Sequence, residues 1–74
     1  MRIKVKLFGS FCRGRFTCEP RDYLPGATIL DVARDLGLSE HELGIMLVDR
    51  RRVGLEHLLA DGETLVLFPS QGGA

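Results

Sequence analysis

Asp61-Gly62-Glu63-Thr64-Leu65-Val66-Leu67-Phe68-Pro69 reads as a tight turn followed by a strand. Asp61-Gly62 makes the turn. Thr64 to Phe68 is nearly all apolar, which predicts a strand lying centrally in a sheet. Pro69 has no N–H to give and ends it. At the opposite end of the chain, Ile3, Val5 and Leu7 alternate with Arg2, Lys4 and Lys6. That period of two predicts a strand with one wet face. If the apolar last strand lies beside the first, the sheet is mixed and its crossover right-handed.

Between these ends, Gly9, Ser10 and Gly14 mark a turn region. Arg15 to Tyr23 alternates again, with Phe16 and Cys18 on one side and Arg15, Thr17 and Glu19 on the other. Strand, glycine-bearing loop and strand read as a hairpin. Pro20 places the second strand at an edge or an ending. Cys18 is expected in its core face and Cys12 in the loop. Leu24-Pro25-Gly26-Ala27 is a break. Thr28 reads as a helix N-cap with Asp31 at the capping-box position. Ile29, Leu30, Val32, Ala33 and Leu36 then form an apolar face, so the main helix is expected over Thr28 to Leu36. Gly37 stops it in a left-handed conformation, and Leu38 packs back. Ser39-Glu40-His41-Glu42 carries a second capping box for one extra turn. Ile45 to Val48 predicts a buried strand, Asp49-Arg50 a turn, and Arg51 to Val53 a short return strand. Glu56 to Leu59 predicts a single helical turn.

The order is β-β-α-β-β-β with one amphipathic helix. One helix covers one face of a sheet, so the other face is left to water or to a partner. The expected fold class is α+β: a β-grasp (ubiquitin-like) domain over residues 1–69, with a mixed sheet of four to five strands packed on one main helix. Ser70-Gln71-Gly72-Gly73-Ala74 has nothing to bury and is expected as a flexible tail.

Composition narrows the function. Seventy-four residues allow one small domain, too small for both a catalytic cleft and a substrate domain. Ten Lys+Arg against ten Asp+Glu give zero formal charge, which argues against nucleic acid. The balance is uneven: residues 2–21 hold six basic side chains and one acidic, a possible surface dipole. The longest aliphatic run, Ile45 to Val48, is too short to span a bilayer. No signal peptide opens the chain, so a cytoplasmic protein with reduced cysteines is expected. Cys12 and Cys18 are six apart with no further ligand pair, so no metal site is expected. His41 and His57 lack a thiol or carboxylate at ligand spacing and read as surface residues. No nucleophile–base pair or phosphate loop appears. Arg50-Arg51-Arg52 reads as a solvated hairpin, with steering toward an acidic partner as the functional alternative.

Strand parity singles out a patch. Phe8 shares parity with Lys4 and Lys6 and points to the wet face. Phe68 shares parity with Val66 and Thr64, opposite Leu65 and Leu67. Phe8, Val66 and Phe68 are therefore expected to form an exposed apolar patch beside the tail, with Pro69 at its end, suited to docking a partner.

Taken together and in order, Ile3-Lys4-Val5-Lys6-Leu7-Phe8-Gly9, the segment Asp61 to Pro69, and Gly72-Gly73 resemble the ThiS/MoaD ubiquitin-like sulfur-carrier family. That family includes the small subunit of molybdopterin synthase and the thiamine sulfur carrier. The resemblance implies a carrier, not an enzyme, with no bound cofactor. An activating enzyme uses ATP to adenylate the terminal glycine carboxylate. Sulfur transfer then gives a thiocarboxylate, which donates sulfur to a cofactor precursor, here with molybdopterin favoured over the thiamine thiazole. Aromatic residues matching Phe8 and Phe68 contact partners in the family. The implied partners are the adenylating enzyme and an acceptor such as the molybdopterin synthase large subunit. Two positions differ from the family pattern: Ser70 stands where a second proline is usual, and Ala74 follows the second glycine. Gly73 is then the loaded residue only after a processing peptidase removes Ala74. Two further readings stay open. One is a ubiquitin-like modifier joined to lysines of other proteins. The other is a binding-only β-grasp module.

Overall fold

The computed structural model describes residues 1–70. Its strands are β1 (Arg2–Leu7), β2 (Cys18–Asp22), β3 (Leu43–Val48), β4 (Arg51–Arg52) and β5 (Thr64–Pro69), with helix α1 (Ile29–Asp35) between β2 and β3. They form one five-stranded sheet in the order β2-β1-β5-β3-β4. The apolar strand β5 is central, as its sequence requires. It runs parallel to β1, with Val5 opposite Leu65 and Leu7 opposite Leu67. It runs antiparallel to β3, with Met46 opposite Leu67 and Val48 opposite Leu65. The sheet is therefore mixed, and this is a β-grasp domain.

Residues opposite one another in a sheet share a face. Ile3, Val5, Leu7, Leu65 and Leu67 all turn to the core, where Ile29, Val32 and Ala33 of α1 join them out of water. Each large side chain buried there contributes about 1.5–3 kcal/mol.

Both ends of α1 are closed by local bonds. The Asp31 N–H donates to Thr28 Oγ1 at 3.3 Å, and the Thr28 N–H donates to Asp31 Oδ2 at 2.9 Å. The bond from the Thr28 backbone, followed by that from its hydroxyl, holds the Asp31 carboxyl below its ordinary range. At the other end Gly37 takes φ 75°, a left-handed conformation. The Leu38 N–H reaches Ala33 O at 2.9 Å and the Gly37 N–H reaches Arg34 O at 3.1 Å, the paired bonds of a Schellman motif. The second capping box also forms, between Ser39 and Glu42, on a 3-10 turn at Glu40–Glu42.

Five expectations are corrected. Cys18 is exposed and not in the core. The register sets it opposite Lys6, while Glu19 and Arg21 lie opposite Val5 and Ile3. Polar groups therefore close the core at this edge: Arg21 reaches Glu19 at 2.8 Å and Asp35 of α1 at 3.0 Å. The second strand is also shorter than the alternation from Arg15 suggests. A 3-10 turn at Gly9–Cys12 occupies the connection and buries Phe11 to 2% exposure.

Glu56 to Leu59 forms no helical turn. A turn at Leu55-Glu56 leads to an isolated antiparallel bridge between Leu58 and Thr28. The backbone there serves the entry to α1: Leu30 N–H donates to Leu55 O at 3.1 Å, and Leu59 N–H to Ala27 O at 3.0 Å. Strand β3 is buried on one face only. Ile45 is 40% exposed, because it lies opposite Phe68 on the side of the sheet away from α1. His57, expected at the surface, is half-buried, with Nε2 3.5 Å from Glu63 Oε1. The two are brought together by the fold and not by their spacing.

Candidate functional site

The face of the sheet without a helix carries the expected patch. Phe8 follows directly on β1, and its N–H donates to Leu67 O at 3.2 Å, which fixes the ring beside β5. The Phe8 and Phe68 rings stack with centroids 4.8 Å apart and 15° between planes. Phe8 remains 42% exposed. Two residues of β3 extend the patch: Ile45 opposite Phe68 and Leu47 opposite Val66. Together they line a shallow depression of about 770 Å³ whose rim includes Arg52, Pro69 and Ser70.

The end of β5 is tightly held. Pro69 lies opposite Leu43, and the register shifts between Leu43 and Ile45, so Gly44 bulges out. A Cβ on Gly44 would lie 2.7 Å from Pro69 O and 3.0 Å from Ser70 Cα. On the other side, Gly9 has φ 60°, and a Cβ there would lie 2.8 Å from Pro69 Cγ. Gly44 thus leaves room for the Pro69-Ser70 backbone, and Gly9 for the Pro69 ring. The Ser70 N–H donates to Glu42 O at 2.7 Å. Glu42 is itself fixed, its carboxylate accepting from the Ser39 hydroxyl at 2.6 Å and the Ser39 N–H at 2.9 Å. The hydroxyl bond leads in holding the Glu42 carboxyl below its ordinary range.

Of the residues singled out from sequence, Phe8, Phe68 and Pro69 come together around one depression. Val66 lies on the same face and lines the adjoining groove with Lys6 and Leu47. Gly72, Gly73 and Ala74, with the expected flexible tail beyond Ser70, lie outside the described residues. Ile45, Leu47, Gly44 and Arg52 were missed as parts of the site. An apolar run such as Ile45 to Val48 has no period that separates a one-sided from a two-sided strand. Gly44 did carry a signal, since a lone glycine in a strand marks a bulge or a close backbone approach.

Other candidates have local roles. Cys12 and Cys18 are free thiols, and Cys12 Sγ donates to Leu7 O at 2.9 Å. No group of three metal-ligating side chains occurs among the described residues. No helix among them is long and apolar enough to cross a membrane.

No protein-family model and no curated protein matches the sequence. Solved structures do match the fold. A Pyrococcus furiosus protein assigned as subunit 1 of a molybdopterin converting factor is 22% identical over 93% of this chain and 97% of its own, with TM-score 0.77. Small archaeal modifier protein 1 of Haloferax volcanii is 22% identical over 92% of this chain and 95% of its own, with TM-score 0.73. A chain from the complex of subunits 1 and 2 of the Helicobacter pylori molybdopterin-converting factor is 16% identical over 95% of each chain, with TM-score 0.66. The resemblance read from the sequence is thus met at the level of fold. This chain has the β-grasp, ubiquitin-like fold shared by small molybdopterin-converting-factor subunits and a small archaeal modifier.

Proposed function

We propose that this protein is a sulfur carrier of the ThiS/MoaD type, loaded as a thiocarboxylate at Gly73 once Ala74 has been removed. The observation that carries the proposal is the stacked Phe8–Phe68 pair and its depression, placed at the root of a segment that contains Gly72-Gly73. A partner seated on the patch would hold the globule while Ser70 to Gly73, extended to about 13 Å, reached its active site. Glycine suits such a segment because it has no side chain to obstruct a narrow passage.

The chemistry belongs to the partners. A carboxylate is a poor electrophile, and coupling it to AMP with loss of pyrophosphate supplies a leaving group. Sulfur at the sulfide level then displaces AMP from the acyl carbon and loses its proton to solvent, and the sulfur of the resulting thiocarboxylate is a better nucleophile than oxygen. This chain supplies the carboxylate and the docking face, and neither cysteine is needed. The structural likeness to molybdopterin-converting-factor subunits supports an acceptor of the molybdopterin synthase type. The thiamine thiazole remains the alternative acceptor.

The likeness to a small archaeal modifier favours one second reading, attachment of the same glycine to lysines of other proteins. Its products would be isopeptide adducts. Adenylation itself is tested by ATP–pyrophosphate exchange with the host's adenylating enzyme and a chain ending at Gly73. Exchange that depends on the chain supports both readings. No exchange leaves only a binding-only module.

A further inference from the structure

The open face carries more than apolar groups. One row across the sheet runs Cys18, Lys6, Val66, Leu47, Arg52, each residue directly opposite the next. The apolar pair at its middle is bracketed by two cations. Lys4 stands on the same side of β1, opposite Thr64. Among the described residues, Lys4, Lys6 and Arg52 make no ion pair, whereas Arg2 and Arg21 do. Asp22 is neutralised by Arg2 at 3.1 Å; Asp49, whose Oδ1 accepts the Thr64 N–H at 3.0 Å, keeps its charge in the groove with Lys6, where Arg50 also lies, so the cations of this face outnumber its free acids. A chain of zero formal charge thus presents a basic face around its apolar depression.

We infer that the docking partner is a protein whose surface carries an apolar plug bordered by carboxylates, one meeting Lys6 and one meeting Arg52. This rests on the docking role proposed above and adds the charge of the partner. Lys6 and Arg52 sit on strands three steps apart in the order β1-β5-β3-β4. At about 4.8 Å per step, the backbones bearing the two cations are about 14 Å apart, which sets the spacing the acidic groups must bridge. A protein fits better than a nucleic acid. The face between the cations is aliphatic, and the two aromatic rings stack on each other, leaving no open pair to clasp a base. Rim charges act chiefly on the rate of encounter and its dependence on salt, while the apolar centre sets the rate of departure.

The test is stopped-flow association of the chain with the host's adenylating enzyme at low and high salt. The parent association rate is expected to fall about 10-fold between 0.05 and 0.5 M salt. The Lys6→Glu/Arg52→Glu double variant is expected to associate about 10-fold more slowly at low salt and to lose most of that salt dependence. Arg34→Glu on α1 is the control and should associate like the parent. Thermal melting of each variant shows that the fold is retained. If the double variant associates at the parental rate with parental salt dependence while Phe68→Asp still weakens binding, the charge inference is overturned and the docking role stands. If the parent itself does not bind, both fall. A single-stranded RNA probe bound more tightly than the enzyme, and released by the double variant, would overturn the inference in favour of nucleic acid.

Discussion

Phe8 and Phe68, sixty residues apart in sequence, stack at 4.8 Å on the face of the sheet that no helix covers. The parallel pairing of β1 with β5 makes the contact, since both residues lie where those strands end. An apolar pair left in water at that place has no structural need to be aromatic. Phe68→Asp should therefore keep the fold and lose the partner. Burying one Phe at an interface contributes about 2–3 kcal/mol, so affinity for the adenylating enzyme should fall about 30- to 150-fold. Phe8→Asp, at the more exposed ring, checks the result if Phe68→Asp is unstable. Parental affinity in both variants would remove the docking role.

Gly44, beside Pro69, and Gly54, with open space around it, predict an unequal response to the same added methyl. Gly44→Ala drives a Cβ into the Pro69 carbonyl, which is backbone and cannot swing aside. A loss of about 1–3 kcal/mol in chemical denaturation is expected. Gly54→Ala, with nothing within 4 Å of the new atom, should be close to neutral. Equal stability of the two variants would show that the β5 end is not clamped as described.

Leu67 is fully buried at the centre of the sheet, between Leu7 of β1 and Met46 of β3. Leu67→Ala should cost about 2–5 kcal/mol. A domain of this length has about 4–11 kcal/mol in all, so the variant should be largely unfolded on warming. Circular dichroism melting checks it, and a midpoint near the parent's would contradict the assigned core.

Asp31 and Glu42 accept capping bonds, and Asp22 accepts from Arg2, so all three carboxyls lie below their ordinary range. Groups lowered by folding stabilise above their unfolded value and lose that contribution as pH falls through the folded one. The melting temperature should thus be flat from pH 7 to 5 and decline below about pH 4. Asp31→Ala should melt lower at neutral pH and decline less steeply in acid. An acid slope identical to the parent's would contradict the role of the capping box.

How far the sequence reveals all this depends on how local each signal is. Helix α1 was legible to its last bond, because Thr28, Asp31, Gly37 and Leu38 act within a few residues of one another. The strands at the two termini were legible from their alternation, and their parity placed Phe8 and Phe68 correctly. The misses are all tertiary. Cys18 follows the alternation of a strand, but its face is set by the register against β1. Phe11 is buried by a 3-10 turn that has no periodic signature. Residues 56–59 have helix-like spacing, yet the backbone at either end of the stretch is drawn elsewhere, Leu55 O accepting from Leu30 and Leu59 N–H donating to Ala27. Ile45 reads as core until the fold shows that only one face of β3 has a helix to meet.

The central claim is that this chain carries sulfur on a terminal glycine, and intact mass measures it most directly. The protein would be isolated from its native host, and separately after incubation with the host's adenylating enzyme, ATP and a sulfur donor. A species ending at Gly73, with sulfur in place of one terminal oxygen, is the expected product. A thiocarboxylate on the chain still bearing Ala74 would overturn the processing step alone. A chain that is never found with sulfur at its terminus, under conditions in which the enzyme consumes ATP with another carrier, would contradict the claim itself.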